Sequence, residues 1–170
     1  MNILKFIGRG LIWLPAVFVA IAIFSFSAQD GDESQSLSDK AADCILTSCD
    51  KIGFVDYINS DNQEEMIENI STPIRKMAHM TEFGVLTMCI FIAFMYDGLY
   101  FKLSRICSLL MCVLWASLDE IHQLYVPGRA GRFLDVCIDT GGALVFIWIV
   151  SFIHHHLEVK KEKAIYSELN

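Results

Sequence analysis

Four apolar blocks, each about twenty residues long, constrain this chain more than any other feature. They run over Leu11–Phe26, Met77–Tyr96, Ile106–Val126 and Phe133–Ile153. A helix rises 1.5 Å per residue, so about twenty residues cross a hydrocarbon core about 30 Å thick. A soluble helix of that length would keep a polar stripe from end to end. Here Leu86–Phe94, Cys107–Leu114 and Ala143–Phe152 are apolar on all sides, as lipid or close helix neighbours require. The pattern predicts an all-α fold: an integral membrane four-helix bundle forming one domain over residues 1–170. Its spans are expected at about 9–28, 76–96, 104–126 and 133–153, with an additional segment at 29–73. The first block has a rival reading. Lys5 and Arg9 before an apolar run, then Ser25-Phe26-Ser27-Ala28, also describe a cleaved signal peptide.

Charge is divided as sharply as hydropathy. The overall formal charge is −7, but the stretch between Ser27 and Ile74 holds eleven acids against Lys40 and Lys51, a net −9. The rest of the chain is therefore mildly basic, with no surface suited to nucleic acid. The acidic stretch reads first as a solvated, self-repelling surface. Lysine and arginine set orientation. Lys5 and Arg9, Lys102 and Arg105, and Lys160, Lys161 and Lys163 flank the spans on one side. Both termini are expected in the cytoplasm and residues 29–73 outside. Arg75, Lys76, Arg129 and Arg132 sit at the opposite ends, against this rule, and are read as site residues.

Within the acidic segment, Ser38 is placed to cap a short helix from Asp39 to Leu46, and a second is expected from Gln63 to Ile70, both lying on the outer membrane surface. Pro73 is expected to break the chain before the second span. Pro127-Gly128 marks a tight turn that makes the third and fourth spans antiparallel neighbours. Cys44 and Cys49 have a spacing compatible with a disulfide but do not imply one. His154–His156 reads as an interfacial anchor more readily than as a metal tract.

The polar residues that interrupt the apolar blocks collect at one end of each span. They are Arg75, Lys76, His79 and Glu82 in the second, Asp119, Glu120, His122 and Gln123 in the third, and Arg132, Asp135 and Asp139 in the fourth. At 100° per residue, Arg75, His79 and Glu82 share a face, as do Arg132, Asp135, Asp139 and Gly142; Asp119, His122 and Gln123 spread more widely. Glu82, Asp119 and Asp139 all fall about 10 Å deep from that end. An ionisable group in a span costs at least about 2.5–3.5 kcal/mol, so three segments delivering such groups to one layer require pairing, water or a task.

Four roles compete. Arg75, Arg129 or Arg132 can pair with Asp119, Asp135 or Asp139 as a structural network. His79, Glu82, Asp119 and His122 can act as acids and bases. His79-x-x-Glu82 and Asp119-x-x-His122 can each present two metal ligands, though no spacing specifies a metal, none is assigned, and the nearby arginines oppose a cation. Arg75, Lys76, Arg129 and Arg132 can contact a phosphate. No motif specifies a cofactor.

Ser27-x-Gln29 closes the first span. Arg75-Lys76-x-x-His79-x-x-Glu82-Phe83 opens the second, and Asp119-Glu120-x-His122-Gln123 with Pro127-Gly128-Arg129 follows the third. Arg132-x-x-Asp135 and Asp139-Thr140-x-Gly142 open the fourth. In this order and spacing the chain resembles the VanZ-like family of bacterial membrane proteins over Leu11 to Ile153. The resemblance implies that the first span is retained and brings Ser27 and Gln29 into the shared pattern. The family's named member is associated with lowered susceptibility to teicoplanin; the resemblance carries no defined reaction.

The expectation is a cell-envelope membrane protein that binds or modifies an anionic lipid or lipid-linked cell-wall precursor. Its proton chemistry falls to His79, Glu82, Asp119 and His122. Ligand contact falls to Arg75, Lys76, Gln123, Arg129, Arg132, Ser27 and Gln29, with Glu120, Asp135 and Asp139 orienting. The alternatives are a non-catalytic binding or assembly protein and, after it, an oligomeric transporter. Gly141, Gly142 and Ala143 are small enough for close contacts within the bundle or between subunits.

Overall fold

A computed structural model describes residues 3–168, with side chains over 8–161. The side chains of Lys5 and Lys163, used above for orientation, lie outside the described residues. Five helices follow in order: α1 (Ile3–Ser27), α2 (Gly31–Lys51), α3 (Gln63–Tyr96), α4 (Phe101–Gln123) and α5 (Phe133–Glu168). Four are long and apolar enough to cross a membrane, over Gly8–Ser27, Gln63–Tyr96, Phe101–Gln123 and Phe133–Lys161. The chain is a helical, multi-pass membrane protein.

The helix α3 is the mast of the bundle and packs against all four others, most extensively α5. The core gathers Ala16 and Ile23 of α1, Phe83, Leu86 and Ile90 of α3, Cys112 and Ala116 of α4, and Ala143 of α5. Larger apolar side chains such as Phe18, Leu110, Leu114, Trp148 and Phe152 point outward. Small residues of α1, α4 and α5 thus pack around Phe83, Leu86 and Ile90 of α3, while other bulky side chains face outward, which suits a bundle in lipid, where hydrophobicity alone does not drive helices together. Gly142 makes the closest approach. A Cβ there would lie 2.0 Å from the Met80 carbonyl oxygen, whereas one on Gly141 would meet nothing within 4 Å. Gly84 similarly makes room for the Phe146 ring, 2.3 Å from where its Cβ would stand.

Pro73 does not break the chain. α3 runs through it as one helix of 34 residues, so the expected short helix over Gln63–Ile70 is the first part of the second span's own helix. A helix-interior proline costs about 3 kcal/mol, and packing by α2 offsets it. Ser71 is fully buried, and Gln35 Nε2 donates to its hydroxyl at 3.0 Å. The helix α2 is also longer than expected. Asp30, not Ser38, caps α2, its carboxylate accepting from Glu33 N at 2.8 Å. Asp32 and Glu33 complement the positive N-terminus, and Lys51 the negative C-terminus. Ser38 instead donates to Ser34 O within the helix. The buried residues Ser34, Ser38, Ala42 and Leu46 seat α2 along α3, so the two form a packed hairpin where separate surface-bound pieces were expected. Tyr57 closes its connection by donating to Asp43 at 2.6 Å. Cys44 and Cys49 are both free. Five residues apart on one helix, they point about 140° away from each other.

At the opposite end, Arg9 Nε donates to Asp97 at 2.6 Å and Trp13 Nε1 at 3.1 Å, tying α1 to the α3–α4 turn. The fourth apolar helix continues well past residue 153, as α5 extends to Glu168. His154 stacks on Phe101, with ring centres 3.9 Å apart.

Two outcomes follow from this packing. Gly142→Ala should lower thermal stability by about 1–3 kcal/mol, while Gly141→Ala should be neutral or stabilising by up to about 1 kcal/mol; unfolding of the purified protein in detergent compares them. The Arg9 and Trp13 hydrogen bonds hold the Asp97 carboxyl below its ordinary pKa. A depressed carboxyl contributes stability above the ordinary carboxylate range and loses it as pH falls through its folded value. Asp97→Asn should therefore lower Tm near ~pH 7, and the gap to the wild type should narrow as pH falls below the ordinary carboxylate range.

Candidate functional site

The end of the bundle that carries α2 gathers the C-termini of α1 and α4, the N-terminus of α5 and the midpoint of α3. Its framework is set by two backbone crossings. Gly31 N donates to Pro127 O at 3.1 Å, and a Cβ on Gly31 would fall 2.4 Å from Gly128 O. Gly128 itself has φ +71°, a left-handed value that glycine adopts freely. The α4–α5 connection thus folds over the α1–α2 junction, and Arg129 is clamped there. Its Nε donates to Gln29 O at 3.2 Å and its Nη2 to Phe26 O at 3.3 Å. Phe26 lies in the last turn of α1 and Gln29 just past it, where the negative end of the helix dipole attracts a cation.

Beneath this clamp lies a polar cavity of about 270 Å³. Arg75, Lys76, His79, Glu120, Gln123, Arg129, Arg132, Asp135 and Asp139 all contribute to its wall. A neighbouring cavity of about 180 Å³ shares Arg75, His79 and Arg129 with it and adds Gln29, Phe26, Ile74, Ala78 and Glu82. Those last four residues also line a larger, almost wholly apolar groove of about 650 Å³ between α1 and α3, which includes Phe18, Met77 and Val85. A continuous wall therefore leads from a lipid-facing groove to a charged chamber, with Glu82 at the transition.

The buried centre of the site is Asp119, with no exposed surface. Ser27 Oγ donates to its Oδ2 at 2.7 Å and Gln123 Nε2 at 3.1 Å. Glu120 accepts from the Arg132 backbone N–H at 2.7 Å, fixing the start of α5. Arg75 turns toward α2, donating to Ser38 Oγ at 3.2 Å and to Gln35 Oε1. Lys76 stands 3.9 Å from Asp135. The charges acting on His79 come from Asp119, Arg129, Asp135 and Arg75, which places its ring among both signs.

Two expectations need correction. The arginine–aspartate network is not formed: Arg75 and Arg129 bond neutral oxygens, and the site's one ion pair among the described residues is Lys76–Asp135. His122 lies apart from the cavity. Its ring stacks on Phe24 of α1, centres 4.3 Å apart, in a separate groove with Trp115. It stands 100° around the helix from Gln123, and Gln123 takes the face that Asp119 shares. The paired-ligand reading of Asp119-x-x-His122 goes with it; among the described residues no three His, Cys, Asp or Glu side chains converge on a metal position. Conversely, Gln35, Ser38 and Ser71 belong to the site's supporting network and were not anticipated. The signal for them was the small-residue series Gly31, Ser34, Ser38 and Ala42, whose spacing marks a close-packing helix face.

Ser27→Ala would leave Asp119 with Gln123 as its remaining hydrogen-bond partner inside the bundle. The expected loss is about 1–2 kcal/mol of stability. Ser25→Ala is the control, because Ser25 is exposed and donates to Ile21 O of its own helix; its Tm should match the wild type.

A family model described as VanZ/LLP1 matches residues 12–154. Neither the curated proteins nor the solved structures yield a match to the chain. The matched span contains α2 and every residue of the cavity wall, and on that match this chain belongs to the VanZ/LLP1 family.

Proposed function

We propose that this protein is a cell-envelope protein that takes the phosphate-bearing head group of a lipid or lipid-linked cell-wall precursor into its polar cavity while the apolar chains rest in the groove between α1 and α3. The cavity end then faces outside and both termini face the cytoplasm, as the lysine and arginine distribution indicates. The observation that carries the reading is the shared wall. His79, Arg75 and Arg129 join the charged chamber to the middle cavity, and Phe26, Ile74, Ala78 and Glu82 join that cavity to the apolar groove. An amphiphile needs this adjacency, since head and tail are covalently one molecule.

The electrostatics support the same reading. Burial and the neighbouring Arg75 charge hold the Arg129 guanidinium below its ordinary pKa, yet a guanidinium stays protonated at neutral pH. Two mutually repelling cations at the edge of a cavity are relieved by an anion between them. Arg132 is exposed at the start of α5, and a guanidinium suits a bidentate phosphate contact. A structural ion-pair network is the weaker reading, because the arginines do not pair with the acids. Acid–base work at His79 or Glu82 remains compatible with binding, since both side chains border the route. Sequestering or altering a cell-wall precursor would in turn lower teicoplanin susceptibility.

The test is a mass-spectrometric inventory of lipids retained by the purified protein. The wild type should retain phosphorylated lipids, and Arg132→Gln, together with Arg129→Gln, should reduce that retention about tenfold or more, as expected for loss of about 1.5–3 kcal/mol of charge-assisted hydrogen bonding. Equal retention by folded variants would remove the proposal.

A further inference from the structure

The acids of the cavity are as specific as its cations, and the phosphate reading leaves them unused. Asp139 lies about 10 Å along α5 from Arg132, is 1% exposed and forms part of the cavity wall. Among the described residues its Oδ2 has no hydrogen-bond partner, and neither does Oδ1 of the fully buried Asp119. Negative charges act on Asp139 from Glu120, Asp119, Asp135 and Glu82. Among the described residues none of these acids forms an ion pair with an arginine. Cations and anions thus share one small chamber with a single ion pair among the described residues, Lys76–Asp135: the Arg75 and Arg129 guanidinium groups bond to neutral oxygens, and Asp119 and Asp139 each keep an open acceptor.

A purely anionic head group would satisfy the rim and add repulsion at the floor. An uncharged one would satisfy neither. A head group carrying both signs, phosphate outward and ammonium inward, matches the order in which the charges are laid out. A primary ammonium supplies three N–H donors and no acceptor, the complement of carboxylate oxygens without partners. Buried carboxylates in a span are tolerated when such a partner or a proton meets them.

Resting on the proposed phosphate site, we propose that the ligand head group carries a primary ammonium beside its phosphate, with Arg129 and Arg132 taking the phosphate and Asp139 the ammonium. The ligand class is therefore an amine-bearing phospholipid or lipid-linked precursor, not a simple acidic phospholipid. Asp139 is a binding residue in this assignment. Asp119, held by Ser27 and Gln123, contributes its negative charge behind it.

The experiment is native mass spectrometry of the full chain in detergent. The probes are three synthetic lipids with identical acyl chains: phosphatidylethanolamine, phosphatidylglycerol and phosphatidylcholine. The first carries phosphate and a primary ammonium, the second phosphate alone, the third phosphate and a cation without N–H donors. The wild type should bind phosphatidylethanolamine about tenfold more tightly than either of the others, a difference of about 1.4 kcal/mol. Asp139→Asn should bring the ethanolamine and glycerol lipids to near equality, and Arg132→Gln should weaken both together. Phosphatidylglycerol binding as well as phosphatidylethanolamine, with both weakened by Arg132→Gln, would overturn the ammonium assignment and leave the phosphate reading intact. An ethanolamine preference that survives in Asp139→Asn would overturn the role of Asp139. Retention of none of the three would remove both readings. Should Asp139→Asn fail to fold, the wild-type ranking of the three lipids decides by itself.

Discussion

A carboxylate buried among membrane-spanning helices needs partners, and Oδ2 of Asp119 is where this bundle supplies them. Its contacts come from two places at once: Ser27 at the last residue of α1, 2.7 Å away, and Gln123 one turn along its own helix, 3.1 Å away. The first sets how far α1 descends beside α4. Since α1 ends at Ser27, the chain must turn there, and the carbonyls it exposes at Phe26 and Gln29 become the seat of Arg129. The α4–α5 connection is then held over the α1–α2 junction through Gly31 and Pro127. The cavity is the space these constraints leave between α3, α4 and α5.

The second determinant is α3. A helix of 34 residues rises about 51 Å, well beyond a hydrocarbon core of about 30 Å. Its excess lies on the side of α2, which covers it with a narrow face of serine and alanine. That contact does more than shelter an extension. It brings Gln35 and Ser38 within reach of Arg75, so a residue of the cavity wall is oriented from outside the spans. The acidic segment therefore has two faces: a solvated one carrying most of the negative charge, and a small-residue one that positions a cation.

The spans, their number and the shared depth of their ionisable groups were legible because each is a local property of composition and 100° periodicity. Arg75, His79, Asp135 and Asp139 do meet in one cavity for the reason their spacing indicates. Two classes of information were not local. Pro73 is a breaker by propensity, yet α3 continues through it where α2 packs against Ser71, as α1 continues through Pro15. His122 belongs to a face 60° from Asp119, a displacement small enough for periodicity to allow either side; the Phe24 ring of α1 decides it. Likewise an arginine and an aspartate at one depth suggest a pair, but the carbonyls that Arg129 reaches are backbone groups exposed where α1 ends.

That preference of Arg129 for backbone oxygens bears on how a charged cavity can persist in a membrane protein. Ion pairing across the chamber would give each charge a partner inside the protein and leave it less available to a ligand. A guanidinium anchored on carbonyls forms no ion pair through those bonds, because carbonyls contribute dipoles; the charges of Asp119, Glu120 and Asp30 act on Arg129 without pairing with it. Lys76 and Asp135, 3.9 Å apart with their side chains 46% and 31% exposed, are too far into solvent to take over that role; pairs of this kind contribute about 0–1 kcal/mol. The favourable interactions of α1, α4 and α5 are thus spent on neutral partners around the rim. The charges facing the chamber remain available to whatever enters it. On the proposed reading this separation is the physical basis of binding, since a head group of mixed charge supplies to each layer the partner that the protein itself withholds.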